Sequence, residues 1–462
     1  MAQISSDVSL LIQSTPSLSS ISFPLYRRRF YVLFVFGFLA FNQCLFWLTF
    51  SPISQSTQAY YHITESTINL LLNWGPIIFI PCLPLTYVLL NKPHGLRKCV
   101  IILAITDLLA TILRIVPSMI VSPSNDNFTS VSLFFIHVGQ ILNAACGPLV
   151  MAPVSQLSCI WFGTNERTRA TTFAIVAPSF GSTIGFLISP WIVNTPERVP
   201  QLLYIHLSLA LVPCVLIMIY FPAQPPRAPS PAAQSLIDGS IHESNIDSLK
   251  TYMKNLRQCF TTPSFLLLCS VGGLLGGAFS AWTSLFANIL ALENFTERQS
   301  GWFGFGASLA AITGGLCVST LADTRYFRRS FKSLIITMII GFFIALVWFD
   351  LLIRTVFYDE PILKPTVTTV IVSVTLAGLF QGSAAPLVYE ALAEIMFPLP
   401  ESLSASVLVQ FANIAVLILL LIPPSLYQWM NLLVLAAIGS CILMMGFVHI
   451  EYKRRNEDER KQ

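Results

Sequence analysis

Apolar and polar positions in this chain alternate on the scale of whole membrane crossings. Hydrophobic runs of about twenty residues, the length that spans the hydrocarbon core of a bilayer, recur almost from end to end between short polar stretches. They predict twelve spans, at about 30–50, 67–90, 99–120, 131–160, 170–193, 201–221, 264–290, 301–321, 332–354, 366–396, 402–422 and 427–449. The expected fold class is an all-α polytopic membrane protein. One long hydrophilic interruption splits the spans six and six. The expected domains are thus a tail (1–25), a six-helix half (26–221), a linker (222–262), a second six-helix half (263–450) and a second tail (451–462).

The linker has two parts. Pro225-Pro226-Arg227-Ala228-Pro229-Ser230-Pro231 cannot sustain a helix and predicts an extended segment. Farther on, Ile246, Leu249, Tyr252, Met253, Leu256 and Phe260 recur at helical spacing, with Lys250, Lys254 and Arg257 on the other face. That pattern predicts an amphipathic helix on the membrane surface. The N-terminal tail is polar and Ser-rich and has no signal-peptide pattern. Within it, Asp7-Val8-Ser9-Leu10-Leu11-Ile12 fits the acid-x-x-x-Leu-Leu/Ile address for endosomes and lysosomes, through which a clathrin adaptor would bind; the bland reading is a few apolar residues in a loose tail.

Composition agrees with the spans: 54% of residues are hydrophobic and 10% charged, against roughly 45–50% and 25% in soluble domains. The net charge of +4 matters less than its placement. Threading the spans from a cytoplasmic start puts 21 of the 26 Lys and Arg on the cytoplasmic side, including Arg27–Arg29, Lys92, Arg97, Lys98, Arg167 and Arg169. Both termini are then cytoplasmic. The sequons at Asn127 and Asn294 fall in far-side loops, where glycosylation is feasible. The ten cysteines form no CxxC pair or metal-ligand cluster and read as small buried side chains, so no metal, cofactor or disulfide framework is expected. No nucleophile, base and orienting group converge in any motif, which argues against an enzyme, and nothing points to nucleic acid.

Six plus six spans about a cytoplasmic linker is the layout of the major facilitator superfamily, whose halves rock around a central cavity. The loop Leu321-Ala322-Asp323-Thr324-Arg325-Tyr326-Phe327-Arg328-Arg329 resembles the superfamily's G-x-L-A-D-R-x-G-R-R loop, with Ser319 and Phe327 at the two glycine positions. Its first-half counterpart, Asn91 to Lys98, has lost the acid. Trp161-Phe162-Gly163-Thr164-Asn165-Glu166-Arg167-Thr168-Arg169-Ala170 is similar to a W-F-x-x-x-E-R-x-x-A segment of several subfamilies. Tyr389 to Glu401, with Glu390 and Glu394 one helical turn apart before Phe397-Pro398-Leu399-Pro400-Glu401, resembles the E-x-x-x-E-x-x-Y-P-x-P-E run of solute carrier family 49, the feline leukaemia virus subgroup C receptor-related transporters. Trp74 to Cys82, Gly95 to Arg97, Leu113 to Pro117 and Gly139 to Asn143 match its lysosomal member best.

The resemblance implies a monomeric transporter of a small molecule, embedded in lipid. Family members are associated with choline and ethanolamine, with haem in older proposals and, for the lysosomal member, with proton-linked pyridoxine export. It also implies site residues. Trp47 matches the Trp that faces a cationic head group, while on its own it reads as a packing or interfacial residue. Gln140 and Asn413 match amides that line the cavity; interhelical hydrogen bonding is the bland alternative. Where choline-binding relatives carry an aromatic, this chain has Ser280, with the candidate Trp282 about 200° further around the helix. Gly272, Gly273, Gly276 and Gly277 suggest close helix packing.

Ionisable groups inside spans are costly and mark function by default. Asp107, His137, Glu390 and Glu394 are the proton-coupling candidates, and Arg114 reads as a structural or anion-pairing group. Asp323, Arg325, Glu166, Arg167, Glu390 and Glu394 form the expected cytoplasmic gate. The function expected is alternating-access transport of a small organic cation or vitamin-like amine, pyridoxine out of lysosomes first. Choline or ethanolamine transport at the plasma membrane and a non-transporting receptor on the same fold are the alternatives.

Overall fold

The computed structural model describes residues 24–453 apart from 164–165, 231–232, 235–236, 238–244, 323–328, 398, 400 and 424–425. Twelve of the described helices are long and apolar enough to cross a membrane. In the N-terminal half these are α1 (Arg28–Trp47), α3 (Glu65–Leu90), α4 (Gly95–Ile120), α5 (Phe128–Met151), α7 (Arg167–Ile192) and α8 (Val199–Ile219); α2 (Ser54–Tyr61) and α6 (Val154–Trp161) are short. The linker carries α9 (Asn245–Thr261). The C-terminal half holds α10 (Pro263–Ser284), the short α11 (Phe286–Ala291), α12 (Glu297–Ala322), α13 (Phe331–Leu352), α14 (Val367–Met396), α15 (Glu401–Leu420) and α16 (Tyr427–Phe447).

The spans expected at 131–160 and 264–290 are each broken in two. Pro153 cannot donate to the ladder and its ring crowds the preceding turn, so α5 stops before it and α6 starts anew. At the end of α10, Thr283 and Ser284 turn their hydroxyls back onto the carbonyls of Phe279 and Ser280. Such bonds loosen and bend a helix, and Leu285 leaves helical geometry at φ −102°, ψ 4°. The amphipathic α9 is present: Leu256 packs against the C-half core, Cys259 is buried, and Met253 and Phe260 are exposed. The side chains of Ile246, Leu249 and Tyr252 lie outside the described set.

Within the halves α1 packs on α7, α4 on α5 and α8, and α14 on α12 and α13, while α10 packs on α15 and α16. Gly273 and Gly277 face α15; a Cβ on Gly277 would sit 2.5 Å from the Ala412 carbonyl oxygen. The halves meet chiefly where α7 packs on α12 and α3 on α15.

Hydrogen bonds join the halves at the end of the bundle opposite the basic loops. The Glu297 carboxylate opens α12 and accepts from the backbone N–H of Gln55 (2.6 Å), from that of Ser56 (3.1 Å) and from the Ser56 hydroxyl. It thereby satisfies donors in the first turn of α2, which have no partner inside that helix. Ser51 Oγ donates to the Ser284 carbonyl (2.6 Å) and Asn69 Nδ2 to the Tyr427 hydroxyl (3.0 Å). Gly301 lets α12 approach α7 there, since a Cβ would collide with the Phe186 carbonyl oxygen. Toward the basic end α1 and α7 line an open groove of about 580 Å³, walled by Phe34, Phe38, Phe41, Phe173 and Phe180, with Arg169 and, from α12, Leu316 at its edge.

This arrangement predicts that Gly301→Val opens the far end. In a cysteine-free background, a cysteine in place of the buried Ser284 should react with a membrane-impermeant thiol reagent several-fold faster when Gly301→Val is also present. An unchanged rate would mean that the α7–α12 approach does not hold the far end shut.

Candidate functional site

The C-half core is one continuous apolar cluster that reaches across to Leu48, Leu72 and Phe186 of the other half. The N-half core is divided. One cluster, with Val32, Phe36, Leu103 and Trp161, lies toward the basic end. Another, with Phe50, Tyr61, Ile115 and Leu203, lies toward the far end. Near the end of α1 sits a layer of buried polar side chains: Gln43, Asp107, Arg114, Gln140, Asn143 and His206.

This layer is organised by the last turn of α1, whose final carbonyls have no partner within the helix. Arg114 of α4, 1% exposed, donates from Nη1 to the Phe46 carbonyl (2.9 Å) and to Thr49 Oγ1 (3.2 Å), and from Nη2 to Gln140 Oε1 (2.5 Å). Gln140 Nε2 of α5 donates to the Trp47 carbonyl (3.2 Å). One turn earlier, Asn143 Nδ2 donates to the Gln43 carbonyl (3.3 Å) and to Asp107 Oδ1 (2.9 Å), and Gln43 Nε2 returns a bond to the Asn143 carbonyl. On the α8 side the His206 ring lies 4.7 Å from that of Phe46, and its Nδ1 is 3.3 Å from Thr49 Oγ1.

Inserting Arg at a membrane centre costs roughly 2.5–3.5 kcal/mol on insertion scales. Hydrogen bonds to a charged group return about 1.5–3 kcal/mol each, so the three bonds of Arg114 offset much of the burial, although its Nε–H is buried without a described acceptor. Two of these bonds fall on Phe46 of α1 and on Thr49, two residues past its end, where the helix dipole is negative. Arg114 forms no ion pair with a described carboxylate; Asp107 stands two turns away on the same helix, about 10 Å along its axis, with Oδ2 lacking any described hydrogen-bond partner.

Trp47, the last residue of α1, lies where the halves meet. Its side chain is half-buried and packs against the C-half cluster, with Nε1 2.6 Å from where a Cβ on Gly75 would be. That N–H is buried without a described acceptor. On α15, which packs on the same α3 helix, Asn413 Nδ2 and Gln410 Oε1 are likewise buried without described partners.

The other expected residues are placed as follows. Gln140 is fully buried, with its oxygen on Arg114 and its nitrogen on Trp47, so both ends of the amide are occupied by protein. Trp282 is fully buried, donates to Asn431 Oδ1 (3.0 Å) and stands edge-on to Phe286 and Phe349. It anchors the C-half core and is walled off from solute in this conformation, because α10 turns it inward while Ser280 stays half-buried. His137 is half-buried and accepts from Trp74 Nε1 at Nδ1 (2.9 Å). Glu390 is exposed and Glu394 fully buried. Glu166 pairs with Arg29 (3.0 Å) and Arg167 donates to Ser230 (3.1 Å), so the described bond of Glu166 stays within its own half and that of Arg167 goes to the linker. Asn127 and Asn294 are exposed, and Asn294 turns the chain at φ 61°. Asp7, Leu11, Ile12, Asp323 and Arg325 lie outside the described residues.

Sequence reading missed the far-end junction of Glu297, Ser56 and Ser51, and the polar face of α3. That face had a signal: Glu65, Asn69 and Asn73 recur at i, i+4 and i+8, one stripe of a helix.

Two six-helix halves that meet along α3–α15 and α7–α12, with polar groups and an unsatisfied aromatic N–H at mid-height, are the architecture of a solute transporter. Residues 32–396 match the Major Facilitator Superfamily. The chain is similar to the solute carrier family 49 member 4 homologs of Xenopus laevis (30% identity over 444 residues, 92% of this chain and 91% of that protein) and Xenopus tropicalis (29% over 444 residues). It is also similar to the choline/ethanolamine transporter FLVCR1 of Felis catus (26% over 403 residues, 84% of this chain and 66% of that one). Among solved structures, the D-xylose-proton symporter superposes with a TM-score of 0.64 at 14% identity, covering 92% of this chain and 98% of that one, and so shares the fold. The chain belongs to the Major Facilitator Superfamily and, within it, to solute carrier family 49. It is a membrane transporter.

The two tryptophans should separate by stability. Trp282→Ala removes a packed core ring and is expected to cost about 3–5 kcal/mol, visible as a large drop in unfolding temperature in detergent. Trp47→Ala should lower that temperature far less, because its ring is only half-buried. Equal drops would contradict this division of roles.

Proposed function

We propose that this protein moves a small hydroxylated amine by alternating access, with pyridoxine leaving an acidic compartment, the lysosome, under a proton gradient as the best-supported case. The observation that carries the reading is Trp47: an aromatic ring at the junction of the halves, with its N–H unused. Its face suits a pyridine or ammonium group. The unused donors of Trp47 and Asn413 and the unused acceptor of Gln410 suit a ligand that carries several hydroxyls. Choline has one hydroxyl, and Ser280 leaves this chain without the aromatic that choline-binding relatives carry there.

In this reading the basic end faces the cytoplasm, following the Lys and Arg distribution. The far end, closed here by Glu297, Ser51 and Gly301, then faces the lumen, and the phenylalanine-walled groove is the route of release. Asp107 is the favoured proton site: it is buried in the polar layer, next to the turn that bears Trp47, with one carboxylate oxygen lacking a described partner. The N-terminal Asp7 to Ile12 segment would supply the lysosomal address through a clathrin adaptor, and Asn127 and Asn294 would carry luminal glycans.

Choline or ethanolamine transport is the second reading, favoured by the likeness to FLVCR1. Radiotracer flux of pyridoxine, choline, ethanolamine and thiamine through reconstituted vesicles, at two luminal pH values, decides between them. Pyridoxine efflux that rises as the lumen is acidified, and whose KM rises at least about tenfold in Trp47→Ala with residual flux still measurable, is the expected result. Choline flux without pyridoxine flux would select the second reading. Binding without flux of any of the four would select a receptor. Asp107→Asn should retain flux down a pyridoxine gradient and lose its response to luminal pH.

A further inference from the structure

Arg114 lies outside the solute contacts and the proton site just described, and its own contacts give it a role. A buried guanidinium in a membrane helix finds a carboxylate or backbone carbonyls; this one spends its fork on the end of α1 and on Gln140. Nη1 holds the Phe46 carbonyl and Thr49, and Nη2 holds Gln140, which in turn holds the Trp47 carbonyl. The side chain reaches this position over Gly139, where a Cβ would lie 2.9 Å from both Arg114 Cγ and the Ala110 carbonyl oxygen. So α4 and α5 are brought together by the glycine, and the guanidinium is threaded to the one place from which both links can be made. Thr49 also donates to the Phe46 carbonyl (2.6 Å), closing the ring of bonds around the turn.

We propose that Arg114 is a positioning residue that fixes the backbone of Trp47, directly at Phe46 and through Gln140 at Trp47 itself, and so sets the affinity for solute without touching it. The planar fork is the reason for arginine here: its separate nitrogens serve the Phe46 carbonyl and Gln140 from fixed directions, whereas Lys carries all its donors on one nitrogen. The proposal rests on the reading that Trp47 contacts the solute, and it assigns Gln140 a place in the relay.

The test uses the full-length protein in vesicles. Arg114→Lys should raise the KM for radiolabelled pyridoxine, with choline assayed in parallel, by about tenfold with maximal rate little changed, the factor that one net hydrogen bond corresponds to. In a Trp47→Ala background the same substitution should add nothing further, since the residue it positions is gone. A KM that rises equally in both backgrounds overturns the proposal, because Arg114 then acts elsewhere. A KM unchanged in Trp47→Ala itself also overturns it by removing the reading beneath it, and that outcome is visible before Arg114 is altered. Gln140→Glu provides a variant that keeps a carboxyl oxygen on Arg114 while losing the donor to Trp47, and a rise in KM like that of Arg114→Lys is expected.

A readout free of transport completes the test. The emission of Trp47, taken as wild type minus Trp47→Phe, should become measurably more quenchable by acrylamide in Arg114→Lys and in Gln140→Glu. Unchanged quenching in both would overturn the proposal whatever the solute is.

Discussion

A guanidinium at mid-membrane depth needs enough oriented dipoles around it to replace water, and in the N-terminal half that need is met by the loose end of a helix. The carbonyl of Phe46, the Thr49 hydroxyl and the Gln140 amide surround Arg114. Two requirements are met by the same contacts: the buried cation gains acceptors, and the terminal carbonyls of α1 gain donors. The position of Trp47 follows, because its backbone is held in the same set of bonds. The polar layer also lies between the two larger N-half clusters, with only a small one of Leu45, Phe46 and Ala210 beside it.

The C-terminal half is built on the other principle. Its core is continuous from Phe265 through Trp282 to Met445, and its large aromatics stack edge to face around Trp282. Close-packed cores of this kind transmit force and resist local rearrangement. The two halves therefore differ in how their buried polar groups are arranged: in one they gather in a layer at the end of α1, and in the other they are scattered around a continuous apolar core on which Trp47 rests.

Where the halves touch, the means also differ between the two ends. Hydrogen bonds and a glycine-permitted helix approach close the far end, while phenylalanines wall an open groove toward the basic end. Hydrogen-bonded contacts between rigid halves can be exchanged for water with little net change in energy, a property that suits a junction required to open. An apolar wall that offers few directional bonds lets a solute slide past without being trapped.

The helix count and the family were legible in the chain, because bilayer thickness imposes one length on every span and loop residues carry their motif with them. Asp107 could be named from residue type and position along a helix, and Trp47 and Gln140 from the family resemblance. Their partners could not, because a polar residue in a span must find some partner and sequence does not say which helix will supply it. Thus Arg114 read as a structural or anion-pairing group, and only the approach of α4 to α5 over Gly139 turned it toward α1. Trp282 looked like a second aromatic for the site until packing placed it inside the C-half core. The breaks at Pro153 and Leu285 and the Glu297 junction with α2 depend on local backbone geometry and on contacts between residues more than two hundred positions apart. Sequence alone determined which segments lie in the membrane, since hydrophobicity adds up residue by residue. Tertiary structure decided which polar groups meet there, since hydrogen bonds depend on direction and distance across helices.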